Sequence, residues 1–81
     1  MSEVAHADPA EKIVRMVNQI ATFFKSTGEE QAVFGTQNHI AQFWDPRMRA
    51  QLCAHLAAGG VGLSPIALRA AQALTAKHKA G

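Results

Sequence analysis

Three dipeptides of one kind punctuate this chain: Asp8-Pro9, Asp45-Pro46 and Ser64-Pro65. Proline has no backbone N–H, so it fits the first turn of a helix, where that group has no intrahelical partner, and not the interior. An Asp or Ser just before it can accept a hydrogen bond from a free N–H of the same turn. Each dipeptide therefore reads as a helix start, with Asp8, Asp45 and Ser64 as caps. Gly28 and the run Gly59-Gly60-Val61-Gly62 read as stops, since glycine enters the left-handed conformations that close a helix at little cost. The punctuation predicts an all-α fold, a small bundle of three to four short helices near 9–25, 29–43, 46–58 and 65–77. No stretch carries a strand signal.

Apolar spacing agrees with these bounds. In the first segment Ile13, Val17, Ile20 and Phe24 form one helical stripe, widened by Met16 and Phe23, while Lys12, Arg15, Gln19 and Thr22 fall opposite. In the second, Val33, Ile40 and Trp44, with Ala32 and Phe43 beside them, give the apolar side, and Glu29 and Glu30 suit the positive end of the helix dipole. Gly35 weakens this helix by about 1 kcal/mol relative to Ala, so it marks either a close helix crossing or a break. Met48, Leu52 and Leu56 make the stripe of the third segment. Leu68, Ala71 and Leu74 make a weaker one in the fourth, where Leu63 and Leu68 have the spacing of a hydrophobic staple. The expected core is Ile13, Val17, Ile20, Ile40, Leu52 and Leu56.

The chain has 81 residues, of which 16 are Ala. That length suits a single helical domain over 9–77, with flexible ends at 1–8 and 78–81, and its core is thin enough for a partner to complete. Phe23 and Phe24 are neighbours, about 100° apart on a helix, and so thin a core has difficulty burying both.

Charge is divided unevenly. Residues 1–45 hold six acids and three bases; residues 46–81 hold five bases and no acid. A basic half can meet nucleic acid, an anionic surface or an acidic protein, or simply be a solvated face. Helix four offers only Arg69 and Gln72 toward base edges, a poor reading helix. A small basic nucleic-acid-binding regulator is the alternative reading, and nucleic acid is not the expected partner. Cys53 is the single cysteine, in keeping with a reducing cytoplasm. The N-terminal residues lack the apolar run of a signal peptide, and no stretch approaches a membrane span. Cys53 and His55 diverge on one helix, so they are not a metal pair. No metal, cofactor or catalytic site is expected on this chain.

The densest stretch is His39 to Arg49, with two aromatics, a helix stop, a helix start and two arginines. Phe43 and Trp44 can close the core at a corner, or contact a partner. Arg47 falls where its positive charge opposes its own helix dipole, which suggests a local carboxylate such as Asp45, or an acidic partner. Trp and Arg are also enriched at interface hot spots. The expected partner-binding set is Trp44, Arg47 and Arg49, an exposed aromatic beside two arginines, with Phe23 or Phe24 at its edge.

Phe43-Trp44-Asp45-Pro46-Arg47-Met48-Arg49 resembles the signature of the small delta subunit of cytoplasmic NAD-dependent formate dehydrogenases. Ile13 to Ile20 looks like that family's first helix. Ala54-His55-Leu56, Gly59-Gly60 and Gly62-Leu63-Ser64-Pro65 look like its segment after the signature. The resemblance covers roughly residues 11–74. It implies a non-catalytic accessory subunit of a cytoplasmic oxidoreductase complex. In that complex the alpha subunit oxidises formate on a molybdenum or tungsten centre held by bis-molybdopterin guanine dinucleotide, with iron–sulfur clusters. Beta and gamma subunits pass electrons through FMN and further clusters to NAD. The delta subunit is associated with assembly or cofactor insertion, and the resemblance assigns it no catalytic residue.

Overall fold

A computed structural model describes residues 9–80, with side chains over 10–76. Four helices follow one another: α1 (Pro9–Phe24), α2 (Glu29–Phe43), α3 (Pro46–Ala57) and α4 (Pro65–Ala80). Among the described residues there is no strand. The bounds lie close to those expected from capping chemistry. The first helix tightens into a 3-10 turn over Lys25–Thr27, where Thr27 Oγ1 donates to the Phe24 carbonyl at 2.6 Å. The fourth runs past the expected end at Lys77, into the stretch read as a tail. Asp8 and the segment 1–8 lie outside the described residues.

Two of the three proposed caps are visible. Asp45 Oδ1 accepts from the Met48 N–H at 2.8 Å, with Pro46 opening α3. Ser64 Oγ accepts from the Ala67 N–H at 3.3 Å, with Pro65 opening α4. Each satisfies one of the orphan donors of its helix. At the other end of α3, Gly60 N–H bonds to the His55 carbonyl and Gly59 N–H to that of Leu56, both at 3.0 Å. This is the Schellman pattern, which needs a positive φ after the helix, and Gly59 and Gly60 supply φ of 123° and 65°. A Cβ on Gly60 would come within 3.2 Å of Leu68 and 3.3 Å of Leu56. The glycine is thus required twice, by its backbone and by the leucines closing over it.

The core contains Ile13, Val17, Ile40 and Leu52, as expected from their spacing, while Ile20 and Leu56 are half-buried and pack against it. Trp44, Ala21, Ala67, Ala71 and Leu74 complete it. α4 packs chiefly on α2. Its alanines at 67, 70 and 71 are fully buried, so the Ala-rich helix docks closely, with Leu74 buried and Ile66 packed against the core as larger anchors. Gly35 marks a crossing, not a break: a Cβ there would stand 2.8 Å from the ring of Phe24. α2 stays helical through it, and the missing side chain is what admits the Phe24 ring.

The loop between α3 and α4 is fixed by a side chain from α1. Asn18 Nδ2 donates to the Gly62 carbonyl and its Oδ1 accepts from the Ser64 N–H, each at 2.9 Å. His55 Nε2 donates to the Val61 carbonyl at 2.8 Å. One amide satisfying both a donor and an acceptor holds the start of α4 against α1.

Candidate functional site

The signature stretch forms the turn from α2 to α3. Trp44 leaves the helix in an extended conformation, φ −88° and ψ 144°. Its N–H still bonds to the Ile40 carbonyl at 3.1 Å, so the indole keeps the face of Ile40 and lies under the corner, 5% exposed, while the extended ψ turns the chain that follows. The expectation of an exposed Trp44 is corrected: the indole belongs to the core. Phe43, the last residue of α2, keeps the helical register and stays 72% exposed, so it is not on the apolar core side. Of the two adjacent aromatics, the outward one is the phenylalanine.

The arginines also divide. Arg49 is half-buried, and its Nη1 donates to the Trp44 carbonyl. That carbonyl would otherwise have no helical partner at the turn, so Arg49 fastens the corner from within. Arg47 is exposed and, among the described residues, has neither a hydrogen bond nor an ion pair. The expected local carboxylate, Asp45, makes no ion pair with it among the described residues and caps α3 through Oδ1. Arg47 alone of this pair is available to another molecule.

Above the corner, α1 and α2 leave an apolar groove of about 400 Å³ lined by Met16, Ile20, Phe23, Phe24, His39 and Trp44, with Gln19 at its edge. Phe23 stands 78% exposed on one wall, its ring edge-on to Phe24 at 5.1 Å. On the other wall His39 packs against Phe43, ring centroids 4.9 Å apart. Trp44 closes the end. Phe24 is half-buried, wedged against Gly35. The expected aromatic edge is therefore real at Phe23, while Phe24 serves mainly as the wall behind it. The spacing of Phe43 four residues after His39 could have shown this second wall from the sequence.

Elsewhere one cluster of charges is engaged. Arg69 on α4 reaches Glu29 at 2.7 Å and Glu30 at 3.1 Å at the start of α2. The hydrogen bond to Glu29, then that to Glu30, raises the Arg69 pKa above its ordinary value. The guanidinium that a nucleic-acid reading would aim at base edges is thus held by two carboxylates. Thr75 Oγ1 donates to Cys53 Sγ at 3.4 Å. Among the described residues, no group of three or more His, Cys, Asp or Glu stands where it could hold a metal ion. No helix there is long and apolar enough to cross a membrane.

Neither curated proteins nor solved structures gave a match to this chain. A family model does match: that of the NADH-dependent formate dehydrogenase delta subunit, FdsD, over residues 12–71. The matched span begins in α1, contains the Trp44 corner, the Asn18-clamped loop and the whole groove, and ends within α4. With most of its length inside that match, the chain belongs to the delta-subunit family of NADH-dependent formate dehydrogenases.

Proposed function

We propose that this chain is a non-catalytic, cytoplasmic accessory subunit that binds the alpha subunit of formate dehydrogenase and supports its assembly or the insertion of its molybdenum or tungsten cofactor. The family match over residues 12–71 carries the reading. The surface supports it: Phe23 and Phe43 stand exposed, and Arg47, four residues after Phe43, is exposed without an ion pair among the described residues, residue types enriched at protein interfaces. The bis-molybdopterin guanine dinucleotide, iron–sulfur clusters, FMN and NAD are assigned to the alpha, beta and gamma partners. In this proposal Arg47 and Phe23 touch the alpha subunit. Trp44 and Arg49 act through the corner they hold, and Phe24 supports Phe23.

The test is to purify formate dehydrogenase from cells that make the other subunits with and without this chain. Without it, formate oxidation and the molybdenum or tungsten content of the alpha subunit should fall together. NADH-driven reduction of an artificial dye by the beta and gamma subunits should persist. Full metal content and formate activity in its absence would exclude the accessory role. Nucleic acid bound with a steep salt dependence would favour the other reading.

A further inference from the structure

The groove between α1 and α2 has walls but no occupant from its own chain, and its chemistry is one-sided. Its lining is apolar and aromatic except for Gln19 and His39, and no acidic residue contributes to it. Lys12 and Gln19, expected opposite the apolar stripe, in fact lie about 40° and 60° from Met16 round the α1 axis, and Gln19 lines the groove, whereas Glu11 lies about 140° away. Lys12 is exposed. Arg47, three residues beyond Trp44, is exposed and unpaired. Asp45 is committed to its cap, and Glu29 and Glu30 are committed to Arg69. Neither cation lines the groove: Lys12 is one turn before Met16 on the same side of α1, and Arg47 follows the corner residue Trp44, while the aromatic walls lie toward the C-terminal end of α1.

Resting on the reading above that the chain binds a large subunit, we infer that this groove takes an acidic amphipathic segment of the alpha subunit. Its large apolar side chains fill the space between Phe23 and Phe43, and its carboxylates meet Lys12 and Arg47. A protein segment fits better than a small molecule, because the exposed rings of Phe23 and Phe43 carry the apolar surface beyond the groove itself. A second copy of this chain fits less well. Its free cations would face the same cations, and like charges oppose pairing.

The test uses the complete complex, produced with tagged alpha subunit, and measures how much of this chain copurifies. Phe23→Ala and Phe43→Ala should each lower recovery at least tenfold. Phe34→Ala should leave it unchanged, since Phe34 is 64% exposed but neither lines the groove nor, as Phe43 does on His39, packs its ring on a lining ring. All three positions are exposed, and circular dichroism should confirm an intact fold. Lys12→Glu combined with Arg47→Glu should lower recovery at least tenfold at low salt, with a smaller deficit relative to wild type at high salt. A photocrosslinker at position 23 should join an alpha-subunit segment rich in carboxylates and large apolar residues. Wild-type recovery of both phenylalanine variants, or of the charge-reversed variant, would overturn the inference while leaving the accessory reading in place. Failure of the unaltered chain to copurify would overturn both. A Phe23-dependent dimer of the isolated chain that blocks copurification would assign the groove to a second copy instead.

Discussion

α2 is packed on two neighbours by two different means. Toward α4 the contact is built from small side chains: Ala67, Ala70 and Ala71 are fully buried, as are Ala32 and Thr36 on α2. Small residues let two helices approach closely, so little chain is needed to exclude water. Toward α1 the side chains are larger: Ile13 and Val17 share one core cluster with Ile40, and the Phe24 ring is set against Gly35, which has no side chain. Beyond that point the aromatics diverge, leaving Phe23 and Phe43 largely in water. A domain of this size has enough small surface to seal one side of α2. It does not have enough third-layer material to cover the other. The comparison locates the closed side of α2 at α4 and its open side at α1, where the groove lies.

The largest expected effect breaks the pairing of the adjacent aromatics at the groove's end. Trp44→Ala removes a buried indole and should cost about 3–5 kcal/mol. Against a typical net stability of about 5–15 kcal/mol, that leaves a domain near its unfolding threshold, visible as a large fall in urea midpoint. Phe43→Ala, one residue earlier, should change stability by less than about 0.5 kcal/mol. Similar losses for the two would mean that Phe43 also belongs to the core.

Gly35→Ala sharpens the α1–α2 side of the comparison. Alanine favours the helix by about 1 kcal/mol, but its Cβ would overlap the Phe24 ring, and overpacking costs about 1–3 kcal/mol. The net expectation is a loss of about 1 kcal/mol. In a Phe24→Ala background the overlap disappears and the same substitution should stabilise by about 1 kcal/mol. Denaturant titration of the four proteins completes the cycle; an unchanged sign would show that the ring does not depend on the glycine.

Much of this arrangement could be read from residue order, and what could not has physical causes. The helix starts at Pro46 and Pro65 follow from local capping, which needs no tertiary information. The core positions Ile13, Val17, Ile40 and Leu52 follow from periodicity. Trp44 was placed correctly by its spacing from Ile40, but its expected exposure came from residue type, Trp being common at interfaces, and not from position. The cross-chain partners of Asn18 and Arg69 were invisible because they lie 44 to 46 and 39 to 40 residues away. Phe43 was assigned to the wrong side because its apolar character was taken for burial, whereas a thin domain leaves some large side chains outside.

Thr36→Val probes the closed side. Thr36 is fully buried and its Oγ1 has no hydrogen-bond partner among the described residues. A buried hydroxyl without a partner costs about 1–3 kcal/mol, and valine has nearly the same shape. The substitution should therefore raise stability by about 1 kcal/mol, measured by thermal or urea unfolding. Destabilisation instead would show that the hydroxyl is satisfied in solution, by water or by the helix carbonyl one turn back.

The smallest effect is expected where the closed side meets water. Arg69 joins α4 to the first turn of α2 through Glu29 and Glu30, but all three side chains are well exposed. Exposed ion pairs are screened by solvent and must also restrain long side chains, so their net contribution is small. Removing the guanidinium does not strand its partners, because Glu29 and Glu30 remain in the first turn of α2, where the helix dipole favours negative charge. Arg69→Gln should therefore lower the melting temperature only slightly at low ionic strength. At 1 M salt, where the screening length is about 3 Å, it should make no difference. A large loss that persists in salt would move Arg69 from the electrostatic seal to the packing itself, with its alkyl stem covering the alanine contact. The closed side of α2 would then owe its closure to one long side chain as well as to its small ones.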